Sequence, residues 1–375
     1  MNIVLAPDSY KGSLTSVQVA NIMKQAISSL GYHDVPFLKP MADGGEGTVD
    51  TLLSSTGGEQ VAITCTGPLG ETITTYYAIL HDNTAVIEVA NIAGLVQVPR
   101  AERNPDRTTS YGLGEVIHDA LDRGCTSFVI GLGGSATNDG GLGMLQALGM
   151  KAWKNNGQLA GIFGKDLFDI AEVSFVDMDA RLAGTTIKVA CDVDNPLYGK
   201  NGASPVYGPQ KGATQEQVAR YDAALADFAS RMEQQKQTVF HHKAGAGAAG
   251  GLGFALLVLG AELVSGAKLV ADASRVGNAI RNADLVITGE GQSDEQTLYG
   301  KAPGYIAEVA RSYGIPAILI SGSVTGDQDK LRRTFDGCFS IITQPMTVEA
   351  CMHHAEELLS EQTKQIIHLL HSMTG

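Results

Sequence analysis

Glycine accounts for 45 of the 375 residues, well above the usual ~7 %. It gathers in runs, as at 44–47, 131–141 and 245–251, the first two of which come after short apolar stretches. A chain built this way must turn tightly at the ends of short strands and let its backbone come close to something there. That rhythm is α/β. Ile3-Val4-Leu5-Ala6 closes at Pro7-Asp8, and a helical pattern follows from Val17 to Ile27. Thr15 and Gln18 stand in the spacing of a capping box, which places the helix start between them. Val35 to Leu38 reads as a second strand, ending before the loop Met41-Ala-Asp-Gly-Gly-Glu-Gly-Thr48.

The texture changes over 58–99. Three β-rich runs (61–66, 72–77 and 85–90), separated by Gly67-Pro68 and Asp82-Asn83, predict a meander. Helix–strand alternation returns with a helix over 114–123, a strand at 127–130 and a helix after the 131–141 loop. Residues 151–245 give one strand, 187–191, and one helix, 215–234. Gly251 to Val264 reads as a buried helix. The last third predicts strands at 285–288 and 317–321, a helix near 302–312 and a terminal helix from about 348 to 372. At roughly 100–200 residues per domain the length suits two domains, and no linker separates them. The expected division is discontinuous: 1–57, 104–150 and 280–375 as a flavodoxin-like or Rossmann-like layer, with 58–103 and 151–279 as a second, mixed-sheet α/β domain.

A net charge of −13 argues against a nucleic-acid or anionic-membrane surface. The opening Met1–Asp8 has no basic stretch and is not expected to be a signal peptide. Five scattered cysteines without a C-x-x-C pair suit a reduced cytoplasm. A P-loop and a G-x-S-x-G nucleophile elbow are both missing. The adjacent pairs His241-His242 and His353-His354 cannot face one metal from a regular element.

Three kinds of loop can carry chemistry. Gly131-Leu-Gly-Gly-Ser-Ala-Thr-Asn-Asp-Gly-Gly141 lies between a strand and a helix, where amides and a helix terminus suit phosphate. Tight strand–helix packing is the competing account. Gly245-Ala-Gly-Ala-Ala-Gly-Gly251 matches G-x-G-x-x-G without a buried strand before it, and is weaker. Carboxylates follow strand ends at Asp43 and Glu46, Asp192 and Asp194, and Glu290 and Asp294. Such loops suit magnesium, which takes one or two carboxylates plus phosphate oxygens, although turn chemistry explains any single one. Lys11, Lys211 and Lys301, each beside glycine, are the candidate anion binders.

Taken in order, these blocks resemble the bacterial glycerate kinase family. The resemblance rests on Ala6-Pro-Asp-Ser-Tyr-Lys-Gly-Ser-Leu14, 41–48, 131–140, Cys191-Asp-Val-Asp-Asn-Pro-Leu197, Tyr207-Gly-Pro-Gln-Lys-Gly-Ala213, 245–253 and Ile287-Thr-Gly-Glu-Gly-Gln292. Tyr10, where the family more often has phenylalanine, is the one departure. The resemblance implies ATP-dependent phosphorylation of D-glycerate with Mg²⁺, usually giving 2-phosphoglycerate. It also implies two α/β domains with the site in the cleft between them.

On chemical grounds Asp192 is then expected as the base, with Lys11 and Asp43 also catalytic. Ser9, Lys11 and Lys211 are expected to bind substrate, Lys11 and Ser9 through its carboxylate or a transferring phosphate oxygen. Gly131, Gly133, Gly134, Ser135, Gly245, Gly247 and Lys301 are expected to bind the nucleotide, and Asp194, Glu290 and Asp294 the metal. A kinase of the GHMP type would leave the other blocks unexplained. A non-catalytic hydroxy-acid sensor would have little use for so many carboxylates. The oligomeric state is not legible.

Overall fold

The computed structural model describes residues 1–374 and divides into two compact units. One comprises Met1–Asp43, Asp50–Gly57 and the chain from Gly266 on; the other comprises Gly44–Val49 and Gly58–Ser265.

The first unit holds a five-stranded, all-parallel sheet. Its order is Gly337–Ser340, Ala317–Ser321, Leu285–Thr288, Asn2–Leu5, Val35–Leu38. Numbered along the chain this is 2-1-3-4-5, the flavodoxin-like winding, whose switch point lies between the first and third strands. The central strands Leu285–Thr288 and Ala317–Ser321 are buried throughout, whereas both edge strands are partly exposed. Continuous apolar runs suit strands covered on both faces. The helix Ser16–Ser29 starts with the expected capping box of Thr15 and Gln18. It lays Val19, Met23 and Ile27 against Ile3, Leu5 and Ile287, with Leu359 and Ile367 of the terminal helix in the same core. That helix is broken in two, Val348–His353 and Ala355–Thr374, with His354 between them.

The second unit holds a six-stranded mixed sheet, in the order Glu262–Val264, Thr186–Ala190, Ser127–Gly131, Thr84–Glu88, Thr72–Leu80, Gly58–Thr66. The last three form the expected antiparallel meander, and the first four run parallel. The helices Tyr111–Asp122 and Ala248–Val258 supply Leu113, Ile117, Phe254 and Leu257 to its core.

Expectations change in several places. Gly44–Val49 belongs to the second unit rather than to the first. Residues 104–150 belong to the second unit, because Ser127–Gly131 hydrogen-bonds between Thr84–Glu88 and Thr186–Ala190. Conversely, 266–279 belongs to the first unit as the helices Gly266–Ser274 and Val276–Arg281. The apolar run 251–264 is not one helix. It leaves the helix after Val258, turns at Gly260 (φ +92°) and ends as the strand Glu262–Val264, which has a partner waiting in Thr186–Ala190.

Candidate active site

In the first unit the carboxyl ends of the parallel strands release the loops that line a cavity of about 610 Å³. This is where open α/β sheets receive ligands. Asp8 sits at the switch point, its amide donating to Gly289 O at 2.8 Å. The turn beyond it is pinned from below: Tyr10 Oη donates to Ile320 O at 2.7 Å, and Tyr10 and Leu14 exchange backbone hydrogen bonds of 2.8 and 3.0 Å. This leaves Lys11 at the tip, where its Nζ meets Asp43 Oδ2 at 3.1 Å.

Asp8 itself is 8 % exposed. Burial, and then the charge of Asp43, push its carboxyl up to about 7, although one oxygen accepts from Ser9 N at 2.6 Å. Lys11 is shifted upward by Asp43, so it stays cationic. Glu290 is held differently. One carboxylate oxygen accepts from Thr297 Oγ1 (2.6 Å) and Ser293 Oγ (3.1 Å), and the other meets Lys301 Nζ at 3.2 Å. Asp294 lines the same cavity, but its carboxylate accepts from Gln296 N at 2.7 Å as the cap of the turn Glu295–Leu298. The cavity therefore gathers Ser9, Lys11, Asp43, Glu290, Asp294 and Lys301 of the expected residues.

The remaining expected residues lie in the second unit. The paired register of Glu88, Gly131 and Ala190 sets the loops after these strands at one sheet edge. Asp192 and Asp194 are exposed there, just past Thr186–Ala190. The 131–141 loop is mostly closed by packing. A Cβ at Gly131 would lie 2.3 Å from Gly44 O, and one at Gly133 would lie 2.8 Å from Gly45 Cα. Gly245 and Gly247 are buried, against Cys191 Sγ and Pro196 O. The second glycine loop closes on the first, with Gly140 N donating to Gly250 O at 2.9 Å. Packing thus accounts for Gly131, Gly245 and Gly247, and only the Gly133-Gly134 turn is exposed.

Beneath that turn lies Lys211, 2 % exposed, whose Nζ donates to Ser135 Oγ (3.0 Å) and Thr137 O (2.6 Å). Burial pushes the ammonium down to about 7, with Asp139 opposing. Asp139 accepts from Ser110 N, Ser110 Oγ, Gly141 N and Gly143 N, which fixes the start of the following helix. Among the described residues, Thr137 Oγ1 and Asn138 Oδ1 are buried without a hydrogen-bond partner.

Two features are not visible in the sequence pattern alone. Asp8 reads there as the residue that closes a strand; its place directly after the first strand of an α/β unit is the signal that marks it. The second is the apolar wall of the cavity, drawn from 341–355, which in sequence looks like ordinary core.

The Glycerate kinase family model matches residues 3–371. A glycerate kinase of Bacillus subtilis (strain 168) is 42% identical over 370 residues, 98% of this chain and 97% of that protein. The glycerate 2-kinase of Escherichia coli (strain K12) is also 42% identical over 370 residues, with the same shares covered. A crystal structure described as a glycerate kinase 2 from Salmonella typhimurium LT2 superposes with a TM-score of 0.91 at 42% identity, over 100% of this chain and 99% of that one. Likeness at this level covers nearly the whole chain, and it makes the chain a phosphotransferase, a member of the glycerate kinase family.

Proposed function

We propose that this enzyme transfers the γ-phosphoryl group of ATP to the 2-hydroxyl of D-glycerate, giving 2-phospho-D-glycerate and ADP. The observation that carries the reading is the near-full-length identity to a relative named glycerate 2-kinase. The cavity supports it by setting Lys11 and Lys301 among Asp8, Asp43 and Glu290. Phosphoryl transfer asks the protein mainly for positioning and charge neutralisation. Lys11, exposed and cationic, suits a phosphate oxygen.

The donor set also fits Mg²⁺. Burial, and then the charge of Asp43, push the Asp8 carboxyl up to about 7, a penalty on its charged form that a hard dication would offset, and magnesium takes few protein carboxylates when phosphates complete its shell. Asp8 and Asp43 would hold it, and bound there it would offset charge on the phosphates. Glu290, already engaged by Lys301 and two hydroxyls, fixes Lys301 instead.

For the second unit we assign the Gly133–Ser135 turn to the anionic acid rather than to the nucleotide. Lys211 braces that turn from below, and the unpartnered Thr137 and Asn138 atoms lie beside it in sequence. Asp192, past the neighbouring strand, is the proton acceptor for the hydroxyl. The composition and the free cysteines suit a cytoplasmic enzyme, and among the described residues no helix is long and apolar enough to cross a membrane.

The test is a coupled ADP-release assay with D-glycerate, ATP and Mg²⁺, the product resolved by ³¹P NMR. A 2-phosphoglycerate signal is expected. Turnover confined to another hydroxy-acid would move the substrate, and no turnover with any would overturn the reading. Asp192→Asn is expected to lower kcat by about 10²–10⁴-fold, the usual weight of general base catalysis; near-normal kcat would remove it from that role.

A further inference from the structure

The cavity of the first unit has two unlike walls. One carries Asp8, Ser9, Lys11, Asp43, Glu290 and Lys301. The other is formed by Ile341, Ile342, Met346, Val348, Met352 and Ala355, with Cys351 among them. Val348 is 67 % exposed and Met352 43 %, and the helix Val348–His353 buries none of its residues. Large apolar side chains left open inside a concave site are unusual unless a ligand covers them. A three-carbon hydroxy-acid cannot be that ligand, because it is anionic, polar on every face and far smaller than 610 Å³.

The two walls meet at one point. A Cβ on Gly12 would lie 2.9 Å from Met352 Cε, so the methionine methyl hangs over the turn that carries Lys11. A ligand lying along the cavity therefore meets apolar side chains at one end and cations with carboxylates at the other. A nucleoside triphosphate has that polarity, with a flat, weakly polar base and a charged tail.

We propose that the segment 341–355 is the nucleobase platform, with the purine of ATP packed on Val348 and Met352 and its phosphates directed toward Lys11. This rests on the kinase reading above and adds where the nucleotide lies. Because Val348 and Met352 are exposed, Val348→Asp and Met352→Glu leave the core untouched while placing a charge against the base.

The probe is mant-ADP binding to the full-length protein by fluorescence, alongside steady-state kinetics. Each variant is expected to raise the mant-ADP Kd and the KM for ATP at least tenfold, leaving the KM for D-glycerate within twofold. Alkylation of Cys351 by N-ethylmaleimide, read by peptide mass spectrometry, is expected to slow at least fivefold in the presence of ADP and to ignore D-glycerate. Unchanged mant-ADP affinity in both variants, or a shift confined to glycerate, would overturn the platform. Loss of mant-ADP binding in the variants of a protein that turns over no hydroxy-acid would uphold the platform and overturn only the glycerate reading.

Discussion

Both units carry glycine-rich loops and use them in opposite ways. In the first unit the loops around Asp8, Glu290 and Ser323 stand apart and leave a cavity with charged groups facing into it. In the second, Gly131 and Gly133 press on Gly44 and Gly45, and the 245–251 loop closes on Gly140. The same residue type opens one edge and seals the other. A glycine run therefore reports that something approaches the backbone, and what approaches in the second unit is mainly the chain's own backbone.

If that contrast is right, a side-chain deletion in the open edge should cost activity and leave the fold alone. Lys11 is the sharpest case, with its side chain 77% exposed. Lys11→Ala is expected to lower kcat/KM for ATP by about 10²–10³-fold, as for the loss of one charge-stabilising contact in a transition state. Its urea midpoint should stay within experimental scatter of the parent. A fall in the midpoint comparable with the fall in rate would erase the distinction.

The closed edge should answer through stability instead. Gly131→Ala drives a methyl to 2.3 Å from a backbone oxygen, where no flexible side chain can give way. Overpacking of this kind costs about 3 kcal/mol, read as a lower urea midpoint, with the surviving folded fraction keeping its KM for ATP. Unchanged stability with weakened ATP binding would return Gly131 to the nucleotide site that its motif suggests.

Asp8 sits between these extremes, since it lies in the open cavity and is nevertheless buried. Its carboxyl titrates near 7 in the fold, against 3.8 as its ordinary value. Between about pH 4 and 7 the unfolded chain has released this proton and the folded chain has not, so stability falls as pH rises through that window. Asp8→Asn cannot ionise and still offers an oxygen to Ser9 N. It is expected to match the parent near pH 4 and to exceed it at pH 8 by on the order of 2 kcal/mol, below the ceiling of ~1.4 kcal/mol for each pH unit that separates the folded and unfolded titrations. Activity should fall meanwhile, because the ionised carboxylate is what a magnesium ion needs. Parallel pH–stability curves for the two proteins would show that Asp8 ionises freely.

Much of this is legible in the sequence for a physical reason: local signals act where local forces decide. The Thr15–Gln18 capping box, the meander over 58–88 and the strands at 285–288 and 317–321 are set by their own side chains. What is not legible depends on partners far along the chain. Residues 104–150 join the second unit because Ser127–Gly131 finds both its neighbours there. The run after Val258 becomes a strand because Thr186–Ala190 offers it an edge. Lys211 looks like a surface anion binder beside its glycines, and only the fold shows it buried under Ser135. Asp8 is the converse, an ordinary strand-closing residue until the strand order puts the switch point beside it.

The smallest effect is also the most discriminating. Gly134 is exposed and has φ +73°, with only Ala90 Cβ near, 3.3 Å from where its own Cβ would lie. Gly134→Ala thus suffers mainly left-handed backbone strain, about 1–2 kcal/mol, against roughly 3 for Gly131→Ala in the same loop. Because this turn is the exposed part of an otherwise packed loop, a ligand bound here should feel the added methyl. The expected outcome is a KM for D-glycerate raised about threefold to tenfold, the KM for ATP unchanged, and a midpoint lowered less than in Gly131→Ala. If the KM for ATP rises instead, the turn belongs to the phosphates and the acid must be held elsewhere. If neither constant moves, the exposed turn is scaffold like the glycines around it, and every ligand-binding role for the 131–141 loop goes with it.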